Sequence, residues 1–269
     1  MKNLLIKLPI FTLFTICTFF FLFPTQTYSQ SFLELDRQCS SRNTKACIEL
    51  ANKFSAGDGV RQNKTKASEL YGKACEGGEA DGCTYLGNLI FQGHGVSRDQ
   101  LKAAQLWMKA CNGRSGQGCF NLGTTFEKGI GVGRDISKAL ESYQKACEIG
   151  NGQGCNNAGI LLEESGSTSR NMVKAAEAYR NGCERGNPLA CTNLGDLHTK
   201  GDGVLRNLNM AVELFDKACG AGDAIACIKL GILFEKGDGI EPNLKTAQHL
   251  FRLACRLDER EARASGIVC

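Results

Sequence analysis

The sequence predicts an all-α protein folded as a solenoid, in which pairs of helices stack one after another with a period of 36 residues. Three observations predict this fold: cysteines recur at that interval, helix-capping and alanine positions recur with them, and apolar residues lie three or four apart inside each interval. Hydrophobic residues make up 42% of the 269 residues and only 4 are proline, which is typical of a folded, helical chain. The net charge of +4 is too small to favour binding of nucleic acid.

The cysteines show the repeat most clearly. After residue 38 they form two ladders with a spacing of 36 residues, and the second ladder follows the first by eight residues. The first ladder consists of Cys39, Cys75, Cys111, Cys147, Cys183, Cys219 and Cys255. The second ladder consists of Cys47, Cys83, Cys119, Cys155, Cys191 and Cys227. Its next position holds Arg263, and the last cysteine of the chain comes later, at Cys269.

Each pair of cysteines eight residues apart is predicted to form a disulfide. On one straight helix the two residues would lie about 12 Å apart, beyond the bridging limit of about 7 Å, so the chain must turn between them. The segment from Cys75 to Cys83, with two adjacent glycines, has the composition of such a turn. Each disulfide would therefore join the end of one helix to the start of the next. We pair Cys255 with Cys269 at the end of the stack.

Zinc is the other common use of paired cysteines. Structural zinc sites need cysteines two to four residues apart together with further Cys or His ligands. Here seven residues separate the members of a pair, and the chain has three histidines. The sequence therefore predicts disulfides, and neither a metal nor another cofactor.

Each interval contains a helix A, a glycine turn and a helix B. Helix B is predicted to begin after an Asn or Asp whose side chain accepts hydrogen bonds from the first free backbone N–H groups. These predicted N-caps are Asn63, Asp99, Asp135, Asn171, Asn207 and Asn243. Helix A contains Leu-Gly pairs such as Leu86-Gly87. A glycine in mid-helix costs about 1 kcal/mol relative to alanine, which predicts that the partner helix packs closely there.

The first residues predict export. Lys2 and Lys7 precede or border the apolar run 8–23, and residues 27–29 offer a cleavage site with small residues. Cys17 would then be removed with the leader. An uncleaved apolar run of this kind can instead anchor a protein in a membrane, and the sequence alone leaves that alternative open.

The predicted organisation has four parts. They are a signal peptide at 1–29, a lead-in at 30–38, six repeats at 39–254 and a C-terminal cap at 255–269. We expect the mature protein to be secreted or periplasmic, where cysteines are oxidised, and to have no contact with a membrane after the leader is cleaved.

The repeated features resemble those of Sel1-like repeats, which are related to tetratricopeptide repeats. They are Cys-x₇-Cys once per 36 residues, Leu-Gly in helix A, a Gly-x-Gly-Val turn and an Asn/Asp-x-x-Lys-Ala start to helix B. The resemblance covers about residues 36 to 269. The chain closely resembles one branch of these proteins, the Helicobacter cysteine-rich protein family, which is also called the cysteine-rich β-lactamase family. The resemblance implies a right-handed superhelix of α/α pairs with one disulfide per pair.

The fourth unit departs from the pattern. Residues 165–168 read Ser-Gly-Ser-Thr where the neighbouring units have a Gly-x-Gly-Val turn, and Ala158 replaces the leucine before Gly159. We expect a differently shaped turn in this unit.

The resemblance also implies penicillin binding and slow β-lactam hydrolysis, with β-lactams or cell-wall fragments as ligands. Ser142 and Lys145 form the one Ser-x-x-Lys motif, and their spacing puts both on one face of helix B in the third unit. Neither Ser-Asp-Asn nor Lys-Thr-Gly accompanies the motif. A chance occurrence in a helix rich in Ser and Lys explains it as well, so no catalytic residue is assigned.

A binding scaffold is the favoured function, because stacked helical pairs form an extended curved surface. Asn121, Asn157 and Asn193 occupy the same place in helix A of three successive units. If helix A lines the concave side, these amides predict a ladder facing a protein or peptide partner in an extended conformation. The alternative is that asparagine is simply tolerated at a solvated position of the helix.

Overall fold

The predicted all-α solenoid is confirmed by a computed structural model. It describes residues 24–165, 169–237 and 240–269, with side chains from residue 32 onward. Within these ranges every regular element is helical. The helices are α1 (Pro24–Ser40), α2 (Thr44–Ala56), α3 (Lys64–Glu76), α4 (Ala80–Gln92), α5 (Gln100–Asn112), α6 (Gly116–Lys128), α7 (Ile136–Ile149), α8 (Gly152–Glu164), α9 (Ser169–Glu184), α10 (Pro188–Lys200), α11 (Leu208–Gly220), α12 (Ala224–Lys236), α13 (Leu244–Leu257) and α14 (Glu259–Ala264).

Two predictions from the sequence fall partly outside the described residues. They concern the apolar part of the leader, within residues 1–23, and the turn of the fourth unit, of which 166–168 are not described. The predicted cleavage site at residues 27–29 lies in the backbone of α1. No helix in the described ranges is both long enough and apolar enough to span a bilayer.

The helices α2 to α13 form six A–B pairs, which we number as units 1 to 6. The even-numbered helices are A helices and the odd-numbered ones are B helices. Each helix packs on the helix before it and the helix after it, and A helices of neighbouring units approach one another more closely than B helices do. The A helices therefore lie on the inner side of the stack, and their solvent-facing side is called the inner face below.

The predicted caps of helix B are confirmed in five units. In units 1, 2, 3, 5 and 6 the side chain of the predicted Asn or Asp accepts a hydrogen bond from the backbone N–H three residues later. The prediction is wrong for Asn171, because α9 begins at Ser169 and includes this residue. In unit 4 helix A ends at Ser165 with φ −70°, whereas a left-handed glycine ends the A helices of the other units.

In units 2, 3 and 5 a second glycine in the turn, Gly95, Gly131 or Gly203, lies directly against helix B of the unit before it. Gly131 has φ +72°, a conformation that residues with a side chain rarely adopt. A Cβ atom on this glycine would also lie 2.8 Å from the backbone nitrogen of Leu101, in the first turn of α5. The turn of unit 3 therefore rests directly on helix B of unit 2.

The mid-helix glycines make room for an aromatic ring, which confirms the close packing predicted from the Leu-Gly pattern. In each case a Cβ atom on the glycine of helix A would overlap a ring on helix B of the same unit. The five pairs are Gly87 with Trp107, Gly123 with Tyr143, Gly159 with Tyr179, Gly195 with Phe215 and Gly231 with Phe251. The ring replaces the missing side chain as the core of the unit.

One disulfide closes each corner between a B helix, or α1, and the following A helix. The six corner disulfides are Cys39–Cys47, Cys75–Cys83, Cys111–Cys119, Cys147–Cys155, Cys183–Cys191 and Cys219–Cys227. Their Cα atoms are only 4.4 to 4.8 Å apart, and all twelve cysteines are buried. The cysteine side chains are thus part of the hydrophobic core and also link the helices covalently. A seventh disulfide, Cys255–Cys269, spans 14 residues at the end of the stack.

Small residues permit this close approach. A Cβ atom on Gly118 would lie 2.6 Å from the Cβ of Ala110, one residue before the other end of the same disulfide. At the corner between units 4 and 5 the two residue types are reversed, because the glycine, Gly182, lies on helix B and the alanine, Ala190, lies on helix A. At least one member of each of these two pairs is glycine, so the helices can touch.

We predict that Gly123→Ala destabilises the protein although alanine favours helix formation. The added Cβ would lie 2.6 Å from Cδ1 of Tyr143, and overpacking of this kind typically costs about 1–3 kcal/mol. The matched control is Gly220→Ala at the end of α11, because nothing lies within 4 Å of its added Cβ. Urea unfolding followed by circular dichroism should show a loss of stability for Gly123→Ala and none for Gly220→Ala. Equal effects would contradict the packing role of the glycine.

Candidate functional site

The candidate site is the inner face, where one residue per unit recurs at the middle of helix A. This row, called the middle row, contains Glu49, Tyr85, Asn121, Asn157, Asn193 and Lys229. The three asparagines singled out from the sequence are half-buried side chains of three successive A helices. They share one face of the stack because the period of 36 residues repeats the orientation of the helix.

Asn121 links unit 3 to unit 2. Its Nδ2 donates a hydrogen bond to Oδ1 of Asn88 at 2.9 Å, and its own Oδ1 accepts one from Nε2 of Gln117 at 2.8 Å. An asparagine amide has two N–H donors and two acceptor lone pairs. Among the described residues, one donor and one acceptor position of Asn121 are therefore not used.

The other two asparagines meet at Asn156. Asn193 donates from Nδ2 to Oδ1 of Asn156 at 2.9 Å, and Asn156 donates to Oδ1 of Asn157 at 3.3 Å. Asn156 is buried, whereas Asn157 and Asn193 are half-buried. The Asn193 amide thus bridges units 4 and 5, whereas Asn157 accepts its hydrogen bond within α8, and both side chains reach the surface.

The row changes character at both ends. Before the asparagines comes Tyr85, a residue that is 38% exposed and whose ring centroid lies 5.1 Å from that of Tyr71. After them stands Lys229, whose Nζ lies 2.9 Å from Oδ1 of Asp196. A neutral amide segment is therefore bounded by an aromatic ring on one side and an ion pair on the other.

The polar tips of the core aromatic residues support the inner face from below. The Tyr71 hydroxyl donates to Oδ1 of Asn52 at 2.5 Å, and Trp107 Nε1 donates to Oδ1 of Asn88 at 3.1 Å. Oδ1 of Asn88 thus accepts two hydrogen bonds, one from the indole of Trp107 in the core and one from the amide of Asn121. This hydrogen bonding fixes the orientation of side chains that a ligand would meet.

In units 3 and 4 a glutamate carboxylate, instead of an asparagine, accepts the hydrogen bond from the core tyrosine. Tyr143 donates to Glu127 at 2.5 Å and Tyr179 donates to Glu163 at 2.7 Å. Burial, followed by the hydrogen bond with Glu127, raises the pKa of Tyr143 to about 12. The pKa of Tyr179 is raised as well, by burial first and then by Glu163. Both hydroxyls therefore remain protonated donors at any physiological pH.

These supporting residues were not predicted from the sequence. Asn88 and Asn156 do not share a repeat position, so the period does not single them out. The signal was nonetheless present, since Glu127 and Glu163 are 36 residues apart and both lie 16 residues before a tyrosine.

Ser142 and Lys145 contact different partners on their helix. Ser142 is buried, and its hydroxyl donates to the backbone oxygen of Lys138 at 2.7 Å. Lys145 is exposed, and its Nζ lies 2.8 Å from Oε1 of Glu141. Each side chain is thus engaged elsewhere, and a buried hydroxyl bonded to its own helix is not presented to a ligand. Within the described ranges, no group of three His, Cys, Asp or Glu side chains is placed to hold a metal ion.

A model of the Sel1 repeat matches the chain at residues 44–79, 80–115, 116–151, 188–223 and 224–259. These five ranges cover more than half of the chain. The chain belongs to the Sel1 repeat family. The matched ranges are units 1, 2, 3, 5 and 6, and they leave out unit 4, the unit in which the turn and the start of helix B depart from the others.

Solved structures show the same Sel1 fold. A protective antigen of uropathogenic Escherichia coli with an SLR fold superposes with a TM-score of 0.79 and 26% identity over 88% of this chain, which spans 50% of that protein. A Sel1 repeat protein from Oxalobacter formigenes gives 0.71 and 25% over 85% of this chain and 92% of that one. No curated protein is significantly similar in sequence.

The cysteine-rich protein B of Helicobacter pylori is also similar. It is 28% identical over 49% of this chain and 95% of that protein, with a TM-score of 0.41. One disulfide in each Sel1 unit of this chain fits the cysteine-rich family named for its Helicobacter members.

We predict a loss of stability in alkali that depends on the tyrosines beneath the inner face. The pKa of Tyr143 and that of Tyr71 are raised from 10.0 to about 12, in both cases mainly by burial. Between these values the unfolded chain has released protons that the folded chain keeps, so the free energy of unfolding should fall as pH rises from 10 to 12 and be unaffected by these groups below 10.

Tyr143→Phe removes one of the three buried tyrosines whose pKa is raised, the others being Tyr71 and Tyr179, and should reduce this pH dependence. Urea unfolding at several pH values, with the exposed Tyr85→Phe as the matched control, measures the effect. If the free energy of unfolding falls with pH as steeply in Tyr143→Phe as in the unchanged protein, Tyr143 does not contribute to the pH dependence.

Proposed function

We propose that this protein is an exported scaffold whose inner face binds an extended segment of a protein partner. The observation that carries the proposal is the run of Asn121, Asn157 and Asn193, three neutral amides on successive A helices with hydrogen-bonding capacity left over. A scaffold for protein interaction is the role that suits a Sel1 solenoid, whose stacked pairs form an extended surface.

An extended peptide offers the groups that this row can bind. Its backbone presents N–H donors and C=O acceptors along its length, and an asparagine amide can pair with both. Recognition of the backbone needs no particular side chain on the partner. The three amides carry no charge, so the amides themselves select neither an acidic nor a basic segment.

The surface is rigid before a partner arrives. Asn121 is held by Asn88, and Asn88 is held in turn by the indole of Trp107. Side chains that are already ordered lose little rotamer freedom on binding, which lowers the entropic cost of association. The corner disulfides fix the spacing of the A helices in the same way.

Seven disulfides indicate an oxidising compartment, which means a periplasm or the extracellular space. Export through a cleaved leader at residues 1–29 is the route that we propose. Lys2 and Lys7, the apolar run 8–23 and the small residues at 27–29 support it.

We predict that the triple variant with Asn121, Asn157 and Asn193 changed to Ala loses peptide affinity. A linear peptide selected from a display library against the purified protein serves as the probe, and calorimetry measures its Kd. Each lost hydrogen bond contributes about 0.5–1.5 kcal/mol, so the variant should bind at least about tenfold more weakly.

The matched control changes Asn112 and Asn209, exposed on B helices, to Ala and should leave the Kd unchanged. Circular dichroism establishes that both variants keep the helical fold. If the selected peptides bind the triple variant as tightly as the unchanged protein, or if the library yields no peptide that binds, the proposal is wrong.

A penicillin-binding protein with slow β-lactamase activity is the alternative that the family resemblance suggests. It has no support from the positions of Ser142 and Lys145, whose functional groups are bonded elsewhere. We predict that Ser142→Ala leaves any turnover of a chromogenic cephalosporin unchanged, because the hydroxyl faces the helix backbone. Absorbance assays beside heat-inactivated protein measure this rate, and turnover that disappears in Ser142→Ala would favour the enzyme.

A further inference from the structure

The disulfide at the end of the stack differs from the six corner disulfides in its access to solvent. Every corner cysteine is at most 9% exposed. Cys269 is exposed and Cys255, in the last turn of α13, is half-buried. Access of a thiolate to sulfur is one of the factors that set the rate of thiol–disulfide exchange, and exposed disulfides are the labile ones.

This disulfide holds a short segment against unit 6. The segment contains α14, whose Ala262 is fully buried, and Ile267, which packs against the core formed by units 4 to 6. Val268, next to Cys269, is 96% exposed. Residues 259–269 are therefore a thin cap with few apolar contacts, and the covalent link to α13 fixes its far end.

The cap closes one side of a cavity of about 390 Å³. Gln248, Phe251 and Arg252 of α13 form the wall on unit 6, and residues 266–268 form the facing wall. Phe251 is the ring that packs on Gly231 in the last pair. The segment that Cys255–Cys269 tethers thus covers the last aromatic residue of the stack.

We propose that Cys255–Cys269 is a thiol-exchange site, at which a small-molecule thiol such as glutathione modifies Cys269 and releases the cap. This goes beyond the binding function proposed for the inner face, and neither depends on the other. The attacking thiolate takes the Sγ of Cys269, because Cys269 is the exposed member of the pair.

The reaction is balanced without any other oxidant or reductant. The thiolate forms a mixed disulfide with Cys269, the Cys255–Cys269 bond breaks, and Cys255 leaves as a thiolate that takes up a proton from solvent. The products are one mixed disulfide on Cys269 and one free thiol on Cys255. With Cys269 detached from α13, residues 266–268 can separate from Phe251 and open the cavity.

The corner disulfides are protected from the same reaction. All twelve corner cysteines are buried, and the second cysteine of each corner is at most 2% exposed. At the five corners between units, a thiolate reaches these sulfurs when the two helices of the corner separate, which requires loss of packing in two neighbouring units. The first corner differs, because Cys39 lies on α1 and the pair Cys39–Cys47 lines a surface pocket.

The test treats the purified, oxidised protein with graded concentrations of glutathione. The reaction is stopped with acid, free thiols are alkylated, and peptides are mapped by mass spectrometry. The expected result is a glutathione adduct on Cys269 with an alkylated Cys255, formed at least about tenfold faster than modification of any corner cysteine, since a buried sulfur reacts only after local opening. Comparable rates at a corner, or adducts on Cys255 instead of Cys269, would overturn the proposal.

The matched control carries Cys255→Ser and Cys269→Ser together and keeps all six corner disulfides. It should take up no glutathione under conditions that modify the unchanged protein, and its helical circular dichroism should be retained. Hydrogen exchange of residues 258–269 and of the Phe251 region should rise in the modified protein while units 1 to 5 stay protected. If exchange at the cap is the same before and after modification, the disulfide does not hold the cavity closed.

Discussion

The stack depends on how closely each B helix can approach the A helix that follows it. At the corner of Cys111 and Cys119 the Cα atoms lie 4.4 Å apart, and the neighbouring Gly118 has no space for a Cβ beside Ala110. Small residues allow this approach and the disulfide makes it permanent. Because a solenoid has contacts only between neighbours, the geometry of one corner determines where the next pair begins. The regular inner face is a consequence of this repeated contact.

The fold could be predicted from the sequence because its determinants are local and repeated. The cysteine ladders mark the corners, the capping residues mark the start of helix B, and the mid-helix glycines mark the position of an opposing ring. Asn171 was the exception. Its capping pattern is intact, but unit 4 lacks the left-handed glycine that ends helix A elsewhere, and α9 begins two residues before it. Asn and Asp favour the N-cap position of a helix. Where the helix actually begins also depends on the turn before it.

The candidate site could be predicted only in part. The period placed Asn121, Asn157 and Asn193 on one face of successive A helices, where the structure has them. Asn88, the partner of Asn121, and Asn156, the partner of Asn193, each belong to the preceding unit, and the distance between units depends on stacking geometry that no spacing in the sequence contains. Sequence spacing also could not predict the contacts of Ser142 and Lys145. A shared helix face does not determine which atoms each side chain contacts, and the two side chains have different partners.

The turn glycine Gly131, which rests on the first turn of α5, illustrates that a unit recognises only its immediate predecessor. Tandem duplication of 36 residues would therefore create two junctions of a kind that the protein already contains. The copied unit would bring its own corner link, its own core ring and one more side chain for the middle row. Evolution can lengthen such a surface in whole units, and the E. coli antigen, of which this chain spans 50%, has the greater length that this route would produce.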